Sequence, residues 1–303
     1  MIQELLLKYS CLDIIHLNNV VTDAPISYKM YYKEKRNGGM RQIFHPAKET
    51  KLLQYGIIDL FLSKFAIHEY AMAYKLGLKK PLYNNAIIHA PYKYSLHIDF
   101  REFFPSILPE DLLKVIRENE ILLDKTDERI IRNVLFIRYK GKNFLSIGAP
   151  ASPIISNIVM FNLDKLLCDE AKNEFNGVYS RYADDIWFSA NDIEASNKYY
   201  AWIKRVVERN KSPKLEINEK KTLFCSRKKS RTITGLRITP DGNVVIPREK
   251  KRILRSLILN RINSNTSEKQ NAYINGYLAF LHDVEPDYYN SLIIKYGEKL
   301  STW

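Results

Sequence analysis

The chain has 303 residues, 46% hydrophobic and 27% charged, enough for a sizeable core shared by roughly two or three subdomains. No apolar run approaches the length of a transmembrane helix, Met1-Ile2-Gln3-Glu4-Leu5 lacks the features of a signal peptide, and Cys11, Cys168 and Cys225 form neither a disulfide framework nor a zinc pattern, so neither a membrane span nor secretion is expected and a cytoplasmic location is. The net charge of +13 is uneven: residues 203–303 hold 21 Lys/Arg against 10 Asp/Glu, a concentration that attracts polyanions such as nucleic acid.

The apolar spacing predicts a helix over residues 2–17. Residues 28–32 and 41–44 read as strands joined by Lys33-Glu34-Lys35-Arg36-Asn37-Gly38-Gly39, a polar turn with hairpin chemistry. An amphipathic helix is expected over 50–65 and a strand over 95–100. After a break near Pro105, helices follow at 109–119 and 126–139. Pro150 and Pro153 open a long helix reaching residue 173, since Pro is tolerated in a first turn. Residues 178–190 hold two strands joined at Ala183-Asp184, and 197–210 a helix. Short strands are expected at 215–217, 222–226, 232–238 and 244–246, then basic helices at 250–262 and 269–281 and a last helix at 287–300. The chain is mixed α+β and ends in a basic helical module.

The chemistry concentrates in Tyr182-Ala183-Asp184-Asp185, two adjacent carboxylates inside an apolar hairpin. Burying ionised groups costs several kcal/mol unless something compensates them, and for clustered carboxylates that is usually a divalent cation. Asp99 sits in a similar run, Leu96-His97-Ile98-Asp99-Phe100. Three carboxylates on two strands that converge suggest a two-metal phosphoryl-transfer site.

These residues carry a resemblance. Tyr182-Ala183-Asp184-Asp185 resembles the YxDD signature of reverse transcriptases, and His97 to Ser106 resembles their first catalytic-aspartate motif. Gly148-Ala149-Pro150-Ala151-Ser152-Pro153 is similar to the bacterial QGAPxSP motif, Asn218-Glu219-Lys220-Lys221-Thr222 to the lysine-bearing palm motif, and Arg41-Gln42-Ile43 with Pro46 to the fingers motif RxIxxP. Asn85-Ala86-Ile87-Ile88-His89 resembles the NAxxH element of retron reverse transcriptases, and Ile233-Thr234-Gly235 their VTG element. The resemblance implies a right-hand polymerase fold: fingers over 1–95, a palm of antiparallel sheet plus helices over 96–240, and a basic helical thumb over 241–303.

Asp99, Asp184 and Asp185 are implied as the catalytic, metal-binding residues for two Mg²⁺ ions, with the Phe100 carbonyl as a further ligand. Lys35, Arg41, Phe104, Gly148 and Lys221 are implied to bind the deoxynucleoside triphosphate. Phe104 stands where the family keeps a steric gate against the 2′-hydroxyl, although without the resemblance core packing accounts for it better, and Lys35 also fits an exposed hairpin. Asn85 and His89, with Lys250, Lys251, Arg252, Arg255, Tyr273 and Tyr277, are implied to meet RNA. By themselves Asn85 fits a turn cap and His89 a satisfied structural histidine. Tyr273 and Tyr277 share a helix face that either packs or contacts RNA. Ile147 departs from the family, which has Gln there to help hold the incoming nucleotide.

The expected partners are a cognate structured non-coding RNA, its branched DNA product (msDNA), deoxynucleoside triphosphates and an anti-phage defence effector protein, with no membrane. Two other readings compete. One is a reverse transcriptase of the group II intron or diversity-generating type, which predicts no branched product. The other is a non-catalytic RNA-binding scaffold, against which the clustered carboxylates argue.

Overall fold

A computed structural model of the chain describes residues 1–34, 38–228, 231–263 and 265–300, the side chains of 298–300 excepted. Lys35, expected to bind the triphosphate, lies outside the described residues, as do Arg36, Asn37, Lys229 and Ser230. The N-terminal segment forms two helices, α1 (Ile2–Ser10) and α2 (Ile14–Asp23), where one was predicted. Cys11 turns into the left-handed region at φ 55°, and Asp13 caps the second helix by accepting from the His16 amide at 2.8 Å. A shared apolar stripe hid the break, because a cap is a local event that periodicity does not register.

The hairpin β1 (Tyr28–Glu34) and β2 (Met40–Pro46) pairs antiparallel, Tyr28 opposite Pro46 and Glu34 opposite Met40. Helix α3 (Lys48–Leu60) follows, then α4 (Pro81–Ile87), strand β3 (Tyr94–Asp99) and helices α5 (Pro109–Glu118) and α6 (Lys125–Leu135). The helix predicted over 126–139 ends early. Its last residues instead form β4 (Ile137–Tyr139), which turns through Lys140 and Gly141, both at positive φ, into β5 (Lys142–Phe144). Two consecutive positive φ values make the hairpin turn whose twist suits the flanking strands.

Helix α7 (Ala151–Asn173) leads to β6 (Val178–Tyr182), β7 (Asp185–Ala190), α8 (Ile193–Arg209) and β8 (Leu223–Ser226). Residues 215–217 contribute a single bridge, Ile217 to Phe100, rather than a strand. The strand predicted over 232–238 folds back on itself as β9 (Arg231–Ile233) and β10 (Leu236–Ile238), again about two positive-φ residues, Thr234 and Gly235. After β11 (Val244–Val245), helices α9 (Arg248–Ile262), α10 (Glu268–Val284) and α11 (Pro286–Leu300) complete the chain. Among the described residues no helix is long and apolar enough to cross a membrane.

Four strands form the central antiparallel sheet in the order β6-β7-β3-β8. Side chains alternate between its faces with period two. On one face Leu96, Ile98, Tyr179, Ile186 and Phe188 are buried in the larger core with residues of α5, α7 and α8. On the other lie Ser95, His97, Asp99, Ser180, Asp185, Trp187 and Ser189, and Trp187 joins a second core built from α4, the small sheet and α9 to α11. The mixed helices and antiparallel sheet agree with the α+β architecture expected from the sequence.

Candidate active site

Asp99 ends β3 directly opposite Asp185, the first residue of β7, so the register places both carboxylates on the same face of the sheet. Asp184 precedes Asp185 at the tip of the β6–β7 turn, where Ala183 is held at φ 58°. The Phe100 amide donates to the Asp184 carbonyl at 3.3 Å, tying the turn to the end of β3. Asp184 is the electrostatically stressed member. Burial first, then the Asp185 charge and less strongly the Asp99 charge, push its carboxyl up to about 6, against opposing pulls from a hydrogen bond to its own backbone amide and, more weakly, from Lys221.

Asp99 is 4% exposed and well partnered. Lys221 Nζ lies 2.9 Å from each of its carboxylate oxygens, and Asn218 Nδ2 donates to Oδ1 at 3.0 Å. The Asn218 amide also donates to the Asp99 carbonyl at 2.8 Å, so the short turn 218–221 wraps the carboxylate. Asp185 Oδ1 accepts from His97 Nε2 at 2.7 Å, and the His97 ring stacks on Trp187 at 4.5 Å. Motif matching singled out neither His97 nor Asn218 for a site role; both lie within the motifs, and their cross-strand positions give the signal.

Among the described residues no three His, Cys, Asp or Glu side chains cluster so as to hold a metal ion by themselves. Carboxylate oxygens of which one is pushed up by its neighbours nevertheless suit a hard divalent cation. Mg²⁺ is usually held by one or two carboxylates, with substrate phosphates completing its shell. Phe100 lines the same cleft as Asp99 and Asp184, and its ring stacks on that of Phe103 at 6.0 Å.

That cleft has a volume of about 870 Å³ and is also lined by Arg41, Tyr74, Phe104 and Lys221. The structure thus brings four sequence-predicted groups together around the carboxylates: Phe100, Arg41, Phe104 and Lys221. Phe104 is half-buried, 5.5 Å from the Phe103 ring and 6.4 Å from the Tyr74 ring. Gly148 lies behind the cleft, packed on β2. The Phe44 amide donates to the Ile147 carbonyl at 2.8 Å, and a Cβ on Gly148 would meet Ile43 Cγ2 and Phe44 O, each at 2.8 Å. Its φ of 114° is open only to glycine without strain. Ile147, where the family has Gln, lines the cleft with its apolar side chain.

The predicted RNA-contacting residues divide. Asn85 and His89 are fully buried, which corrects the expectation that they touch RNA. His89 Nε2 lies 2.8 Å from Ser180 Oγ and Nδ1 lies 2.9 Å from Ser189 Oγ. Because Ser180 donates onward to Asn85 Oδ1 at 2.6 Å, the hydrogen bonds take one direction. They run from Arg231 to Ser95, Ser189, His89, Ser180 and Asn85 across the sheet face. The order requires a neutral imidazole. Burial and then the Arg231 charge push His89 down to about 3, which provides one.

In α9, Arg252 and Arg255 are exposed, whereas Lys250 reaches the Gly235 carbonyl at 3.4 Å. Lys251 turns inward to pair with Glu285, 4.3 Å from the Tyr288 ring centroid. Tyr273 is exposed and stacks at 5.7 Å on Tyr277, which packs against the second core. None of these α9 and α10 residues lines the carboxylate cleft.

Beneath the turn lies a buried charge pair that motif reading missed. Arg181 and Asp164 are both 0% exposed and meet in a fork, Nε to Oδ1 at 2.7 Å and the second nitrogen to Oδ2 at 2.6 Å. Burial is the largest single influence and pushes the guanidinium down, but the Asp164 charge and hydrogen bonds, helped by Tyr179, together outweigh it and the net shift is upward. A charged residue inside each of two apolar segments was the available signal. Their pairing was not readable.

The fold and site can be set beside known proteins. A family model described as reverse transcriptase (RNA-dependent DNA polymerase) matches residues 33–238. The chain is 34% identical to the retron Ec83 reverse transcriptase of Escherichia coli over 89% of its own length and 87% of that protein's. It is 31% identical to the retron Ec73 reverse transcriptase of the same species, over 92% and 90%. Among solved structures, apo telomerase from Candida tropicalis superposes with a TM-score of 0.52 at 13% identity, covering 91% of this chain and 58% of the telomerase chain. At that identity the likeness concerns the fold alone.

Proposed function

Since the chain belongs to the reverse transcriptase family, as a retron-type RNA-directed DNA polymerase, we propose that it copies its own structured non-coding RNA into branched msDNA. The synthesis uses deoxynucleoside triphosphates and two Mg²⁺ ions, in the cytoplasm, as part of an anti-phage system with an effector protein. The observation that carries the catalytic part is the Asp99–Asp185 register, with Asp184 at the adjoining tip pushed up by burial first and then by its carboxylate neighbours.

In this mechanism Asp99, Asp184 and Asp185 would hold the metal ions, with the Phe100 carbonyl as a further ligand. The bound cations supply acidification of the attacking hydroxyl and charge neutralisation on the phosphates. A guanosine 2′-hydroxyl of the RNA begins synthesis and deoxyribose 3′-hydroxyls continue it. The hydroxyl oxygen forms a bond to the α-phosphorus, its proton passes to water in the open cleft, and the bond to pyrophosphate breaks. Lys221 lies on the Asp99 side of the cleft, where its ammonium neutralises or protonates the departing pyrophosphate. Arg41 holds triphosphate oxygens by charge-assisted hydrogen bonds, and Gly148 keeps β2 close enough for it to do so. The Phe104 ring excludes a ribose 2′-hydroxyl. Arg252, Arg255 and Tyr273 offer a basic, aromatic surface to the RNA.

The test is made on nucleic acid that copurifies with the protein from its native host. It is digested with RNase, and any discrete small DNA is treated with a debranching enzyme. A DNA whose mobility shifts on debranching supports the retron product. RNA without such a DNA leaves a reverse transcriptase that starts from an ordinary 3′-hydroxyl, and the branched-product reading fails.

A further inference from the structure

The turn that carries Asp184 and Asp185 has an unusual anchor. Besides its fork to Asp164, the Arg181 guanidinium donates to the Ala183 carbonyl at 3.0 Å and to Asn157 Oδ1 at 3.1 Å. Ala183 is the residue at φ 58°, between Tyr182 and Asp184, so this hydrogen bond holds the strained point of the turn. Asn157 in turn donates to the Ala73 carbonyl at 2.8 Å, next to Tyr74, which lines the cleft at φ 60°. The Arg181 backbone is bonded on both sides to the same segment: its amide donates to the Tyr70 carbonyl at 2.9 Å and its carbonyl accepts from the Met72 amide at 2.8 Å. The guanidinium also lies 6.0 Å from the ring centroid of Phe103, the neighbour of Phe104. Asp164 and Asn157 both belong to α7, whose first turn follows Gly148.

One buried cation therefore joins the carboxylate turn, the Tyr74 segment and the helix behind the nucleotide side of the cleft. A charge pair is a costly way to fill a core. Apolar residues of similar volume often do as well or better for stability. What an apolar pair does not supply is a donor for the Ala183 carbonyl. We propose that Arg181 is a positioning residue: anchored by Asp164, it fixes the backbone of the Ala183-Asp184 turn and so the relative placement of Asp184 and Asp185 during nucleotidyl transfer. This inference rests on the reading of those two carboxylates as catalytic.

Two variants of the full-length chain separate positioning from folding. Arg181→Lys keeps a buried cation but loses the fork. The triple variant Arg181→Met, Asp164→Leu, Tyr179→Phe replaces the pair, and the Tyr179 hydroxyl that donates to Asp164 at 2.7 Å, with apolar groups. Each is tested by thermal melting, by primer extension on an RNA template, and by hydrogen exchange with mass spectrometry of the metal-free protein.

The expected result is a folded protein whose kcat is down by roughly tenfold or more while the KM for deoxynucleotide stays within about threefold. Exchange should speed up in peptides spanning 182–186, with those of α7 unchanged. Folded variants with wild-type kcat and unchanged exchange at the turn would overturn the proposal. So would failure of both variants to fold, which would assign the pair to stability alone. Asp184→Asn with Asp185→Asn serves as the control: if it still extends a primer, the catalytic reading has failed, and that is a different result from failure of the Arg181 proposal.

Discussion

Replacing Asp184 with Asn should make the metal-free protein more stable while abolishing DNA synthesis. The carboxyl is pushed up to about 6 from an ordinary value near 3.8 by burial and by Asp185 and Asp99. A group whose folded-state value is raised lends stability that is fully present below about pH 4 and is lost as pH rises through about 6. Two units correspond to a ceiling of about 3 kcal/mol. The side chain still opens onto the cleft, so about 1–2 kcal/mol is the expected gain from removing the charge at neutral pH. For a chain of this size that is a rise of roughly 2–6 °C in Tm. The assay is urea or thermal unfolding of wild type and Asp184→Asn in EDTA at about pH 4.5 and about pH 7.5. The gap between the two proteins should be small at the acidic pH and open, in favour of Asn, at the higher one. A gap that does not change with pH, or a less stable variant at neutral pH, would refute the electrostatic argument for the site.

His89→Asn bears on the opposite sign. His89 is pushed down to about 3, so the unfolded chain binds a proton below about 6.5 that the folded chain refuses, and stability falls as pH drops through that window. The loss is on the order of 4 kcal/mol at its acid end. The Asn variant should flatten that acid limb in urea titrations while leaving RNA affinity at neutral pH within about twofold, as expected for a buried residue. Lys221→Met should lower kcat by roughly 10–100-fold in primer extension, with stability changed by less than about 1 kcal/mol because the ammonium is largely exposed. Gly148→Ala should cost about 1–3 kcal/mol in unfolding experiments and raise the deoxynucleotide KM, since its methyl group would force β2 away from the Ile147-Gly148 backbone.

How much of this was legible beforehand depended on the kind of interaction. Carboxylates inside apolar strands announce themselves, because an unpaired charge in such a run has few physical explanations. Which residues share a face with them came with the register: Asp99 with His97, and Asp185 with Trp187, by the period-two alternation of each strand. The hairpin at 178–190 was visible for the same reason. The turn at Thr234-Gly235 was missed because it sits inside a pattern that suits one longer strand until two residues adopt positive φ, and the hairpin about Lys140-Gly141 because the helical pattern before it runs on through residues 137–139.

Tertiary structure alone decided which polar residues face solvent and which face each other. Asn85 and His89 look like contact residues in a linear motif, yet α4 lies over the serine-lined face of the sheet and buries both. Lys251 looks like part of a basic stripe, yet its ammonium is committed to Glu285, 34 residues away. Arg181 and Asp164 are 17 residues apart on a strand and a helix, and nothing in either segment names the other as partner. A sequence fixes the period and chemistry of each segment through local sterics and propensity. The pairing of buried charges is chosen by desolvation, which acts only once two segments have excluded water from the space between them.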